Sequence, residues 1–247
     1  MTNKELEEEN KQLRELLIQN GIIQKDKSKA FSDVKMNYLK ELVNINKNLE
    51  DNNKFDNWFN NNLRLRKDEI NFLDKLLDKY GLLLNSFNED RLKVVFIGNI
   101  LEKVDFLNKK LNIGNFYHSP LQFKNDKINF NGFCDFYVAN GLEYPETPYF
   151  FIQEYKPSIG GSHPEPQLLA ELISAIELNK SKTIKGCYII GAIWNFVILE
   201  KVKKDTYQYF VSRDFLSTNE NDLKSIYKNS LFVKDEIFNI VNLKNKK

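Results

Sequence analysis

The sequence of 247 residues predicts an α/β core with a helical arm in front of it. Apolar residues recur at helical spacing through most of residues 31–107, and aromatic and β-branched runs follow after Asn112. A helix-like segment, residues 164–180, then separates these runs from further strand-like runs, an order typical of an α/β domain. Hydrophobic residues make up 42% of the chain, which is enough for a packed core and too many for a disordered chain.

Composition excludes several classes of protein. The formal net charge is +2, so contact with nucleic acid needs a local basic patch, for which residues 63–67 and 201–204 are the candidates. No apolar run approaches the roughly 20 residues of a membrane span, and the charged N-terminus lacks the apolar stretch of a signal peptide. Cys134 and Cys187 are expected to be small buried thiols in a reducing compartment. We therefore expect a cytoplasmic protein without a membrane partner.

Residues 1–22 are predicted to form a short coiled-coil helix. Thr2 can cap this helix, with Glu5 as the partner in a capping box. The inward positions of a short leucine zipper recur at steps of three and four residues: Leu6, Asn10, Leu13 and Leu17. An asparagine at an inward position favours a specific register, which indicates a homodimer or higher homo-oligomer through these helices. A helix that packs on its own domain is the open alternative.

Residues 23–84 are predicted to be a helical arm, and residues 85–247 the α/β domain. The strongest amphipathic helix of the arm covers 68–84. The domain begins with a helix over 86–107, for which Ser86 or Asn88 can serve as the cap. The remaining predicted elements are paired strands at 128–140 and 146–157, a helix at 164–180, strands at 185–202 and 205–213, and helices at 219–230 and 234–243.

The strand that ends at Pro157 carries an acid and a base on one face. Successive strand residues point to opposite faces, so Glu154 and Lys156 share a face, and both faces of this strand are mostly apolar. Buried charges are costly unless they are paired or bind a ligand. A plain ion pair is one interpretation. The other depends on a second acid, Asp135, on the neighbouring predicted strand.

If the two strands pair, Asp135 can lie beside Glu154. Adjacent carboxylates repel each other unless a cation lies between them, and oxygen ligands suit Mg²⁺ or Mn²⁺. Such a metal polarises a phosphodiester and lowers the pKa of a bound water. Lys156 can hold the attacking water or neutralise charge that develops on the phosphate. The pattern therefore predicts a Mg²⁺ (or Mn²⁺) site for phosphodiester hydrolysis.

These residues resemble the PD-(D/E)xK nuclease superfamily, which has the restriction-endonuclease-like fold. Asp135, Glu154 and Lys156 match its motif, and Gln167 lies on the following helix, as a glutamine does in the RecB-like branches. The resemblance extends over residues 86–243 and is to a set of uncharacterised bacterial members. It rests on the runs FNEDRLKVVFI, GFCDFYVA, PYFFIQEYKP, PQLLAELISA and YIIGAIWNFVIL. The proline that precedes the first acid in the family motif is replaced here by Cys134.

The resemblance implies a mixed central sheet flanked by helices and a metal-dependent endonuclease that acts on DNA, with a role in restriction or phage defence. An acid on the helix before the first strand completes such sites. Glu89 is favoured over Glu102 for this position, which gives Asp135, Glu154 and Glu89 as metal ligands. Glu171, one turn after Gln167 on the same helix face, is close enough to reach the site, but a position at the surface is favoured.

Two other functions stay open. In one, the same fold binds a nucleic acid or a protein without cutting it. In the other, the N-terminal helices assemble the protein, and Glu154 and Lys156 form a plain ion pair.

Overall fold

The computed structural model describes residues 28–50 and 53–244, together with residues 6, 9, 13, 16, 17 and 20. Of the predicted coiled-coil helix, Leu6, Leu13 and Leu16 are helical and exposed. Glu9 and Leu17 are also helical, Asn20 lies in a turn, and the other residues of 1–22 lie outside the described residues. None of the helices in the described part of the chain is long and apolar enough to cross a lipid bilayer.

The centre of the fold is a mixed sheet. Its strands, within the described residues, are β1 (Lys29–Ala30), β2 (Asn44–Lys47), β3 (Ile113–Lys124), β4 (Asn129–Asn140), β5 (Glu146–Lys156), β6 (Thr183–Ile190), β7 (Ile193–Lys203), β8 (Thr206–Val211) and β9 (Phe215–Leu216). The strand order is β1–β4–β5–β6–β7–β8–β2, with β3 paired to β4 and β9 paired to β7. Three pairs are parallel: β1 with β4, β5 with β6, and β2 with β8. The predicted α/β class with a mixed central sheet is confirmed.

Helices cover both faces of this sheet. They are α1 (Met36–Leu42), α2 (Asp56–Phe59), α3 (Lys67–Tyr80), α4 (Glu89–Leu92), α5 (Gly98–Val104), α6 (Glu165–Asn179) and α7 (Glu220–Lys244). A π-helical segment, Lys93–Ile97, joins α4 to α5, and 3-10 turns lie at Phe31–Asp33, Gly81–Ser86 and Lys109–Leu111. One apolar core holds side chains of α1 and α6, and a second holds side chains of α2 to α5 and α7. The central strands are therefore buried on both faces, as their apolar sequences predict.

Three differences between the observed and the predicted elements have a clear physical reason or consequence. The segment predicted as a helical arm also contributes β1 and β2, and Trp58 lies in the core. The 18-residue run at 185–202 is too long for one strand of ordinary length and is split by a turn at Gly191, whose φ is +57°. The two predicted final helices are one continuous helix, α7, because no breaking residue interrupts them.

The antiparallel pair β4–β5 forms as predicted and positions the acids. Tyr137 lies opposite Ile152. Gly141 takes a left-handed backbone conformation, with φ of +94°, at the connection between the two strands. Asn88 caps α4 through a hydrogen bond that its side chain accepts from the backbone N–H of Arg91, as one of the two predicted caps.

Candidate active site

Asp135 and Glu154 occupy adjacent positions where the pairing of β4 and β5 ends. The last regular pair is Phe136 with Gln153, and Asp135 and Glu154 come next along the two strands. At this point a hydrogen bond from the Asp135 side chain, instead of a backbone hydrogen bond, joins the two strands. Its Oδ2 accepts a hydrogen bond of 2.7 Å from the backbone N–H of Tyr155. The structure thus brings together the two acids that the sequence pattern singled out.

Glu154 is a buried acid with only part of its hydrogen-bonding capacity used. Its side chain is 1% exposed, and its Oε1 forms an ion pair with Lys156 Nζ. Its Oε2 is buried and has no hydrogen-bond partner within the described residues. Burial, and next the charge of Asp135, raise the pKa of Glu154 to about 8, although Lys156 acts in the opposite direction. An orphaned carboxylate oxygen in such a place favours a bound cation.

Lys156 lies at the boundary between this buried cluster and solvent, with 16% of its side chain exposed. Burial lowers the pKa of its ammonium, but the charge and hydrogen bond of Glu154, together with the charges of Asp135 and Glu89, raise the pKa above its ordinary value. The lysine is therefore a permanent positive charge at physiological pH. Its Nζ can meet an anion that approaches from solvent.

Lys93, which the sequence analysis missed, lies between two of the predicted metal ligands. Its Nζ is 2.5 Å from Glu89 Oε1 and 2.7 Å from Asp135 Oδ1. Burial lowers the pKa of Lys93, but its hydrogen bonds to Asp135 and Glu89 raise the pKa above its ordinary value. The sequence held one signal for this lysine, since it follows Glu89 by four residues and helical residues at this spacing face each other.

The structure places Glu89, and not Glu102, beside the acids. Glu89 is joined to Asp135 through Lys93, and its charge also acts on Lys156. Glu102 instead accepts a hydrogen bond of 3.2 Å from the hydroxyl of Tyr117.

The helix α6 contributes a second buried acid. Gln167 Nε2 donates a hydrogen bond of 3.1 Å to Glu171 Oε1, and Glu171 Oε2 is buried without a hydrogen-bond partner in the described chain. Burial first, and then the charge of Glu154, hold the pKa of Glu171 well above its ordinary value. The expectation that Glu171 lies at the surface was wrong, because α6 is covered on almost all sides and this acid is fully buried.

The described residues contain no group of three or more His, Cys, Asp or Glu side chains that could hold a metal ion. Mg²⁺ typically takes only one or two carboxylates from a protein and completes its shell with water and substrate phosphates. Asp135 and the free oxygen of Glu154 supply that number of ligands.

No protein-family model and no curated protein matches this chain. The candidate site is therefore defined by its own geometry.

The metal-free protein is expected to lose stability as the pH rises from about 5 to about 8. Glu154 has a pKa of about 8 in the folded chain and an ordinary value of 4.5 when exposed. Between these values the folded state binds more protons than the unfolded state, so the free energy of unfolding falls with increasing pH. The glutamine side chain in Glu154→Gln cannot titrate. The free energy of unfolding should therefore fall less steeply with increasing pH in this variant, as measured by thermal unfolding from pH 5 to 9. An unchanged slope in the variant would contradict the raised pKa.

Proposed function

We propose that this protein is a metal-dependent nuclease of the PD-(D/E)xK type with a restriction-endonuclease-like core, and that double-stranded DNA is its substrate. One observation carries the proposal. Asp135 and Glu154 lie side by side at the end of two paired strands, with Lys156 beside them and a buried oxygen of Glu154 left without a partner. Paired acids with a perturbed pKa and an adjacent cation are features of a catalytic site.

Each side chain has a defined task in this proposal. Asp135 and Glu154 hold Mg²⁺ or Mn²⁺, with Glu89 as the third candidate ligand. When bound, such an ion polarises the phosphodiester and lowers the pKa of a coordinated water. Lys156 orients the attacking water or stabilises charge that develops on the phosphate.

Two changes in the protein must precede binding of the cation. The Glu154 carboxyl must lose its proton, which its pKa of about 8 makes incomplete at neutral pH. Lys93 must release Asp135 Oδ1, to which it is bound at 2.7 Å, before that oxygen can ligate a metal. Gln167 acts indirectly, because it fixes the buried carboxyl of Glu171.

The proposal includes a homodimer or higher homo-oligomer formed through the N-terminal helices. Two copies would present two sites, one for each strand of a duplex. A role in restriction or phage defence belongs to the same proposal and follows from the resemblance to the superfamily.

Lys93 also favours a second function, a nucleic-acid- or protein-binding module that does not cut. Its ammonium already neutralises Glu89 and Asp135, so these two acids are paired without any metal. In that case the fold would bind its partner while the site stayed closed by Lys93. Binding without cleavage under all metal conditions would identify this function.

Replacing Lys93 with methionine is expected to tighten divalent-cation binding about tenfold. The substitution removes a positive charge from Asp135 and Glu89 and so makes the site more negative, and a tenfold gain corresponds to about 1.4 kcal/mol. The affinity for Mn²⁺ is measured by titration calorimetry. Lys103→Met is the control, because Lys103 pairs with Asp68 instead of the cluster. Equal Mn²⁺ affinity of Lys93→Met and the unaltered protein would show that Lys93 does not compete with a metal.

A cleavage assay tests the nuclease proposal. Supercoiled plasmid, linear duplex DNA, single-stranded DNA and RNA are each mixed with the purified protein in Mg²⁺, Mn²⁺ or EDTA. The proposal predicts cleavage that depends on the metal and stops in EDTA. A folded protein that binds Mn²⁺ but leaves all four substrates intact would contradict it.

A further inference from the structure

A cavity opens directly beside the cluster formed by Glu89, Lys93, Asp135, Glu154 and Lys156. It has a volume of about 440 Å³, in the range of small-molecule sites, and its inner wall is apolar, with Ile97, Leu101 and Tyr155. It shares Lys93 and Asp135 with the candidate active site. A larger cavity of about 540 Å³ shares none of the cluster's residues. Whatever occupies the smaller cavity therefore lies next to the phosphate that the active site would bind.

Tyr117 and His118 line this cavity, and Phe133 lies beside it through its contact with His118. The rings of His118 and Phe133 are stacked, with centroids 4.8 Å apart and planes 10° from parallel. Phe133 is 54% exposed and Tyr117 is 43% exposed, although exposing a large apolar ring in water is unfavourable. Exposed rings beside a site for the nucleic-acid backbone are typical of platforms on which bases stack.

The backbone at the rim is strained. His118 has φ of +42°, a left-handed conformation that is costly for a residue with a side chain. The ladder between β3 and β4 is regular on both sides of this residue, but the pair His118 with Asp135 is missing from it. His118 and Asp135, the two residues at this interruption, both line the cavity, and Asp135 accepts the hydrogen bond from Tyr155 N. The cavity and the candidate active site therefore meet at this irregularity of the ladder.

We propose that this cavity receives one unpaired nucleobase of the substrate strand, next to the scissile phosphate. The inference rests on the proposed nuclease function and adds that the double-stranded DNA must be locally unpaired at the cutting point, a state that a single-stranded oligonucleotide reproduces. The apolar wall would cover the face of the base, and His118 with Phe133 would provide the stacking surface at the mouth. A base held in a closed duplex cannot reach the cavity without leaving its stack, so an already unpaired strand should bind best.

The test measures binding separately from cleavage. In a Lys156→Met background, fluorescence anisotropy compares a single-stranded DNA oligonucleotide with its duplex. The single strand should bind more tightly, and His118→Asn combined with Phe133→Leu should weaken its binding about tenfold, the loss of one stacked base. Asparagine is chosen at position 118 because it tolerates the left-handed backbone. Tyr144→Leu is the control, since Tyr144 is a 78% exposed ring at the other end of the β4–β5 pair.

An abasic site moved along the oligonucleotide locates the bound base. Removing one particular base should weaken binding to the unaltered protein, and the same removal should weaken binding less once the rings of His118 and Phe133 are gone. The variant that combines His118→Asn with Phe133→Leu is called the rim variant. If it binds the single-stranded oligonucleotide as tightly as the Tyr144→Leu control does, the inference is overturned. Equal affinity of the protein for single strand and duplex would also overturn it. Cleavage that is unaffected by the rim variant would leave the nuclease proposal intact. Base-dependent binding without any metal-dependent cleavage would support the cavity and reject the nuclease.

Discussion

Lys156→Met is expected to lower the rate of metal-dependent cleavage roughly 10²- to 10³-fold, or about 2.7–4 kcal/mol of transition-state stabilisation, the usual effect of removing one charge-stabilising donor. Lys156 is the cation of the cluster that is paired to a single acid and reaches solvent, so it can meet the phosphate. The variant should still bind Mn²⁺, because no acid is lost and a positive charge is removed. Initial rates of plasmid cleavage at saturating Mg²⁺ measure the effect.

The control for this substitution is Lys185→Met. Lys185 lies on the neighbouring strand β6, forms an ion pair with Glu236, and is 18% exposed, close to the 16% of Lys156. Both substitutions break a half-buried ion pair, but only one of them removes a charge from the candidate active site. An equal loss of activity in the two variants would show that Lys156 acts through stability and not through catalysis.

Glu154→Gln is expected to abolish detectable Mn²⁺ binding along with cleavage. The substitution keeps the shape of the side chain but removes the charge, and an amide oxygen is a poor substitute for a carboxylate where only two acids are in place. We expect at least a 100-fold loss of affinity, about 2.7 kcal/mol. Titration calorimetry at pH 8.5 measures the affinity, since the carboxyl of Glu154 is mostly ionised there.

Glu69→Gln provides the matched control for Glu154→Gln. Glu69 is as buried as Glu154 and forms an ion pair with Arg66, but it lies on α3, away from the acids of the site. Its substitution should leave Mn²⁺ binding unchanged. Retained Mn²⁺ binding in Glu154→Gln would mean that Glu154 is a structural partner of Lys156, as the ion-pair interpretation holds.

The sequence alone could predict the parts of the fold that depend on local pattern. The paired strands β4 and β5 and the helix α6 have clear periodicity and clear ends, and they appear where expected. The strand β2 could not be predicted in this way, because Asn44–Lys47 is polar and buries one side chain, Ile45. Its strand conformation comes from backbone pairing with β8, more than 150 residues away along the chain.

The same limit applies to the candidate site. Asp135, Glu154 and Lys156 could be found because strand alternation and pairing fix their positions. The burial of Glu171 could not be predicted, since it depends on how closely α6 packs against the sheet. For Lys93, the four-residue spacing from Glu89 predicts one contact, but the contact with Asp135 joins residues 42 positions apart in the chain. Tertiary packing therefore completes the cluster of predicted acids that also holds Lys93.

A crystal structure of the protein soaked in Mn²⁺ tests the proposed metal site, because the anomalous signal locates the ion. We expect a peak bonded to Asp135 and to the free Oε2 of Glu154, with Lys93 displaced from Asp135 Oδ1. A cluster without an anomalous peak at saturating Mn²⁺, with Lys93 still bound to both Glu89 and Asp135, would contradict the metal site and favour the non-cutting binding module.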